Sequence, residues 1–118
     1  MKTTNDLRLT VTLRRLDDEG QRRFGPGVAA LLEEVREKRS LRAAAGSMGM
    51  AYSKAWRIVR AAEEALGHKL LDSTTGGRHG GGAALTEEAE ALLAAYQALR
   101  DEVSAYAQER FQEHFRDL

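Results

Sequence analysis

Residues 7–16 alternate between apolar and polar side chains as far as Arg14. Leu7, Leu9, Val11 and Leu13 fall on one face, and Arg8, Thr10, Thr12 and Arg14 on the other. A period of two with β-branched residues predicts a half-buried strand. Asp17, Asp18, Glu19 and Gly20 supply a turn, and "QRRF" behind them a returning strand, so residues 7–24 are expected to form a hairpin. Gly25-Pro26-Gly27 ends that pattern, and Pro26, the chain's single proline, sits where a helix begins.

The period then lengthens to that of a helix. Val28, Leu31, Leu32 and Val35 share a face, with Glu33, Arg36 and Glu37 opposite. Ser40 is placed to N-cap a short helix, "LRAAAGSMG", in which Ala43, Ala44 and Ala45 leave room for another helix to approach. Gly49 supports a tight turn, and "AYSKAWRIVRAAEEALG" predicts a third helix stopped by Gly67. Residues 40–66 thus carry a helix-turn-helix pattern.

The third helix has two stripes. Ala55, Val59, Ala62 and Leu66 form an apolar one, while Ser53, Arg57 and Arg60 share another face with Lys54 beside them. Packing alone requires only the first stripe; a recognition helix lying in a DNA major groove requires both. Trp56 could stack on a DNA base, but its helical setting next to Ala55 and Val59 favours the core, where it is expected. Tyr52, at the helix start, suits packing or DNA contact equally.

"KLLDST" and "AALT" predict a strand and its return, joined by a loop holding Gly76, Gly77, Gly80, Gly81 and Gly82. So much glycine forfeits side-chain packing and raises the entropy lost on ordering, which excludes a packed helix or central strand. A strand–loop–strand after a helix-turn-helix is a wing, here residues 69–86. Glycine at its tip lets the backbone approach phosphate oxygens, with Arg78 supplying charge and Thr75 and His79 beside it. Thr86 then N-caps a long helix, and Glu87 and Glu88 suit its positive start. Leu92, Tyr96, Leu99, Val103 and Tyr106 recur along it in a heptad-like seam. At roughly 43 Å, that helix outruns what a winged domain covers, so residues 87–118 are expected to pair with a second copy.

Composition removes other possibilities. The 118 residues are 42% hydrophobic, enough for one modest core. With no cysteine there is no disulfide, thiolate nucleophile or cysteine metal site. His68, His79 and His114 lack metal-ligand spacing, so no metal or other cofactor is expected. The glycine loop has neither the Gly-Lys-Ser/Thr ending of a Walker loop nor a G-x-G-x-x-G match. No nucleophile–base or paired-carboxylate arrangement stands out, and no enzyme is expected. No apolar run approaches the roughly 18 residues of a membrane span, and "MKTTNDLRLTV" lacks a signal-peptide block, which predicts a soluble, cytoplasmic chain.

The net charge of zero is unevenly spread. Residues 36–60 hold seven basic side chains against Glu37, while residues 87–118 hold eight acids against three arginines. A basic middle predicts a polyanion-binding surface. The residues expected at duplex DNA are Ser40, Arg42, Tyr52, Ser53, Lys54, Arg57, Arg60, Thr75, Arg78 and His79.

Three motifs carry a resemblance: "S-x-x-A-A-A" at Ser40, Ala43, Ala44 and Ala45; "GM-x-Y-x-x-AW" at Gly49, Met50, Tyr52, Ala55 and Trp56; and "TGG-x-x-GGG-x-x-LT" at residues 75–86. They resemble the N-terminal DNA-binding domain of ModE-type molybdate-responsive regulators, which is related to that of LysR-type regulators. The resemblance implies a mainly α winged helix-turn-helix with a small β component: residues 1–86 the DNA-binding domain and 87–118 the dimerisation helix of a homodimeric transcriptional regulator. Arg39 stands where that family often has glycine, Ala51 where it often has serine, and Ser53 where lysine is frequent. Full-length members carry molybdate-binding β-barrel domains after the long helix. This chain has no strand-rich segment there, so it is expected to be a stand-alone member or a fragment, and direct molybdate sensing does not follow. Two other readings remain: a dimeric helical module whose basic middle binds an acidic protein, and a small oxyanion-sensing protein using the glycine loop.

Overall fold

A computed structural model describes residues 9–16, 23–74 and 82–117. In chain order the elements are β1 (Leu13–Arg14), β2 (Arg23–Phe24), α1 (Pro26–Lys38), α2 (Leu41–Ser47), α3 (Tyr52–Leu66), β3 (Leu71–Thr74), β4 (Gly82–Leu85) and α4 (Glu87–His114). The architecture is mainly α, with two small antiparallel hairpins.

Local chemistry sets most boundaries. Pro26 opens α1, where its missing N–H is no loss. Ser40 caps α2 by accepting the Ala43 N–H at 3.0 Å. Gly67, at φ 76°, closes α3 and donates its N–H to the Glu63 carbonyl at 2.8 Å. Thr86 caps α4 by accepting the Ala89 N–H at 3.0 Å, and its hydroxyl donates to the Lys69 carbonyl at 2.7 Å. The start of α4 is thereby tied to the base of the second hairpin.

The core has two joined parts. Phe24, Val28, Leu32, Leu70, Leu93 and Tyr96 anchor one, where α1 and α4 meet the first hairpin. Leu31, Val35, Ala44, Ala45, Ala55 and Val59 anchor the other, inside the helix-turn-helix. Alanine at 44, 45 and 55 brings α2 and α3 close, as their side chains require. Ala65 is buried at the end of α3, whereas Leu66, expected in the buried stripe, is only half-buried.

Among the described residues of the first hairpin, Leu13 pairs with Phe24 and Arg14 with Arg23, and residues 9–12 pair with no strand although alternation predicts one there. Val11 is half-buried against the core, but Leu9 and Leu13 are exposed. Alternation identifies residues that share a face; it does not supply a layer to cover them, and here Tyr96 and Phe24 cover little beyond Val11. Residues 7 and 8 lie outside the described residues.

Only the first third of α4 belongs to the core, through Ala89, Leu93 and Tyr96. Bidentate contacts from Arg36 to the Glu90 carboxylate, at 3.1 and 2.7 Å, and a hydrogen bond from the Gln97 amide to Glu33 hold this part on α1. The remainder projects, giving extents of 59 × 34 × 25 Å and a radius of gyration of 16.8 Å; a compact domain of 100 residues has about 13 Å. Among the described residues no helix is long and apolar enough to cross a membrane.

Candidate nucleic-acid interface

The helix-turn-helix is built so that α2 supports α3. Met50 donates its N–H to the Ala45 carbonyl at 2.9 Å across the turn, and Gly49 adopts φ 69°, the left-handed region natural to glycine. The Ser47 hydroxyl lies 2.8 Å from the Glu34 carboxylate, linking α2 to α1. Ala55, Val59, Ala62 and Ala65 then fix one side of α3 in the domain.

The opposite side faces solvent. Ser53, Lys54, Arg57 and Arg60 are all exposed, as the second stripe predicts. Among the described residues Lys54 and Arg57 have no ion-pair partner, leaving two cations available to an outside anion. Arg60 is engaged: it lies 3.4 Å from Glu63 and its guanidinium sits 4.9 Å from the Trp56 ring centroid. Ala51, the N-cap of α3, makes no side-chain cap, and the first turn holds no acidic residue. The positive end of the helix dipole there is uncompensated.

The second hairpin stands beside α3. Its register pairs Leu71 with Leu85, Asp72 with Ala84, Ser73 with Ala83, and Thr74 with Gly82. Ala83 also donates its N–H to the Arg39 carbonyl at 3.0 Å, fixing the hairpin to the α1–α2 junction. A cleft between α3 and these strands is lined by Arg42, Tyr52, Trp56, Arg60, Lys69 and Ser73. Ser40 is half-buried at its edge. Arg42 is exposed and stacks 4.2 Å above the Tyr52 ring. On the other flank of α3 a groove is bordered by Arg23, Lys54 and Arg57.

Of the ten residues expected at DNA, Ser40, Arg42, Tyr52 and Arg60 line the cleft, Lys54, Arg57 and Arg60 border the groove on the other flank, and Ser53 is exposed on α3. Thr75, Arg78 and His79, with Gly76, Gly77, Gly80 and Gly81, lie outside the described residues, while Gly82 opens β4. Trp56 is not in the core as expected; it is 46% exposed. Successive helix positions are turned by about 100°, so the neighbour of buried Ala55 points to the edge of the stripe. Its true companions are Tyr52 and Arg60, four residues away on either side. Lys69 was not anticipated, because the end of β3's lead-in gives no periodic signal.

In the expected seam, Tyr96 is corrected. It is 2% exposed, packs edge-on against Phe24 with centroids 5.0 Å apart, and donates its hydroxyl to the Val11 carbonyl at 2.6 Å. Leu92 is half-buried in the same region. The first turns of α4 lie over the domain, so heptad spacing there marks the chain's own core. Beyond it, Leu99 is 41% exposed, Val103 42% and Tyr106 68%.

Comparison with known proteins gives a family and several relatives. Residues 29–90, over half the chain, match the bacterial regulatory helix-turn-helix proteins of the lysR family. A molybdenum-pterin-binding protein, MopB, of Rhodobacter capsulatus is 39% identical over 77 residues, covering 65% of this chain and 28% of its own length. The transcriptional regulator ModE of Haemophilus influenzae is 37% identical over 89 residues, covering 75% of this chain and 31% of its own. The DNA-binding transcriptional dual regulator ModE of Escherichia coli K12 is 31% identical over 74 residues, covering 63% and 28%. The chain thus spans less than a third of the length of these relatives.

Proposed function

The chain belongs to the bacterial regulatory helix-turn-helix proteins of the lysR family, and from that premise we propose that it is a homodimeric transcriptional regulator that lays α3 in the major groove of duplex DNA. The observation that carries this is the exposed face of α3, where Ser53, Lys54 and Arg57 stand free of ion pairs opposite a fully packed stripe. Lys54 and Arg42 supply phosphate contacts, and Arg57 a fork that reads guanine. The second hairpin acts as a wing, and Arg78 at its tip meets the DNA backbone or minor groove. Acting on chromosomal DNA places the protein in the cytoplasm. The exposed seam on α4 joins two copies, so that two α3 helices address two half-sites.

Site selection with the purified protein, followed by titration at two salt concentrations, tests this. Affinity should fall steeply with salt, as counterions are released. Arg57→Ala should lose about 1–3 kcal/mol of discrimination at one base pair per half-site. Lys54→Ala and Arg78→Ala should weaken all duplexes alike, each lowering the log–log salt slope by about one unit. Unchanged affinity and specificity in both Arg57→Ala and Lys54→Ala would remove α3 from the interface. Calorimetry with molybdate checks the oxyanion reading, under which Arg78→Ala abolishes anion binding and spares DNA affinity.

A further inference from the structure

Tyr52 and Trp56 form a strip that phosphate binding does not explain. They stand one turn apart on the edge of α3 that faces the wing, and both are substantially exposed. Trp56 is the chain's single tryptophan. The packed stripe beside it is complete without it, since Ala55, Val59 and Ala62 are buried. A large apolar ring left in water amid cations marks a recognition surface.

The ring is also held. Arg60 lies against it at 4.9 Å, and Glu63 holds Arg60 at 3.4 Å. The other carboxylate oxygen of Glu63 accepts the Leu70 N–H at 2.8 Å, so this support is fixed to the base of the wing. At the other end of the strip, Arg42 covers Tyr52. The strip is therefore an apolar patch between arginines, with Lys54 and Arg57 on the same helix. The surrounding charge matches phosphates. In the major groove of a duplex, the apolar group displayed between phosphates is the C5-methyl of thymine.

Resting on the regulator reading above, we propose that Trp56 is a specificity-determining residue that reads thymine, packing its indole against the C5-methyl in the major groove while Arg60 and Glu63 position the ring. Tyr52 extends the same apolar strip.

Replacing thymine by uracil removes the methyl and keeps every hydrogen-bonding edge, which makes the test specific. Each thymine of the selected site is replaced in turn, and wild-type protein, Trp56→Ala and Trp56→Phe are titrated. For wild-type protein, one or two positions per half-site should show a loss of about fourfold, the affinity equivalent of one buried methyl group. Trp56→Ala should bind thymine and uracil duplexes equally at those positions, and Trp56→Phe should keep part of the difference. The emission of the single tryptophan should change as the duplex saturates. The exposed position of Trp56 leaves the packed stripe untouched in Trp56→Ala, and a thermal melt checks this; the wild-type uracil scan and emission stand without the variant. Salt-dependent binding with no uracil-sensitive position, the same uracil penalty in Trp56→Ala, or unchanged emission would overturn the thymine reading and leave the regulator reading intact. No salt-dependent duplex binding would overturn both.

Discussion

Arg39 ends α1 at φ 56° and ψ 29°, the one non-glycine with positive φ among the described residues. Its N–H reaches the Val35 carbonyl at 2.7 Å, so the left-handed turn is needed to close the helix and deliver Ser40 to its capping position. A side chain there costs about 1–2 kcal/mol, part of which glycine returns as unfolded-state entropy. Arg39→Gly should therefore raise stability by a few tenths to about 1 kcal/mol; a lower urea midpoint would contradict the strain. Tyr96 gives a pH dependence. Burial raises its phenol above the ordinary value of 10.0, against a smaller lowering by Arg100. The native state then holds the proton more tightly than the unfolded chain. This contribution is present below pH about 10 and lost as pH rises through the raised native value. Tyr96→Phe should cost about 1 kcal/mol at neutral pH through the lost bond to Val11. It should also show a shallower stability decline above pH about 10 than the wild type. Identical alkaline slopes in urea titrations would refute this.

At the scale of elements, the junction between the second hairpin and the long helix rests on Thr86. One side chain caps α4, bonds the Lys69 carbonyl and is nearly buried, and its own N–H bonds the Leu70 carbonyl at 3.0 Å. Thr86→Ala should cost about 1–2 kcal/mol and lower Tm by several degrees, while Thr86→Ser keeps most of the stability. Equal melting of all three proteins would show that the cap carries no weight. The Arg36–Glu90 pair is a different case. Its hydrogen bond raises the Arg36 guanidinium above its ordinary value, yet both side chains are nearly half exposed, so solvent screens the pair. The starts of α1, α2 and α4 were legible from Pro26, Ser40 and Thr86, because a cap acts within three residues of itself. The extent of the first hairpin was not, because strand pairing depends on a covering layer from elsewhere in the chain.

At the scale of the molecule, α4 is about 42 Å long and leaves Leu99, Val103 and Tyr106 uncovered. Leu13 and Leu99 border a small apolar pocket with Leu92 and Tyr96, which continues this face onto the domain. If two copies pair through this face, as proposed, Leu99→Glu should put a carboxylate into the joint between them. The lost burial of about 2–3 kcal/mol per chain, with the charge added, should weaken association by far more than tenfold. Sedimentation should show a wild-type dimer and a Leu99→Glu monomer. A wild-type monomer at micromolar concentration would remove the dimer.

Periodicity, caps and glycine placement determined by themselves that this chain holds a helix-turn-helix, a second hairpin and a long final helix, since those signals are local. They also separated the packed and polar stripes of α3. Tertiary structure alone decided which side each edge residue takes. Tyr96 satisfies the spacing of an intermolecular seam but is drawn inward by Phe24 and the Val11 carbonyl. Trp56 satisfies the composition of a core residue but is left outside, because alanine and valine already fill the space between α2 and α3 and an indole has no room there.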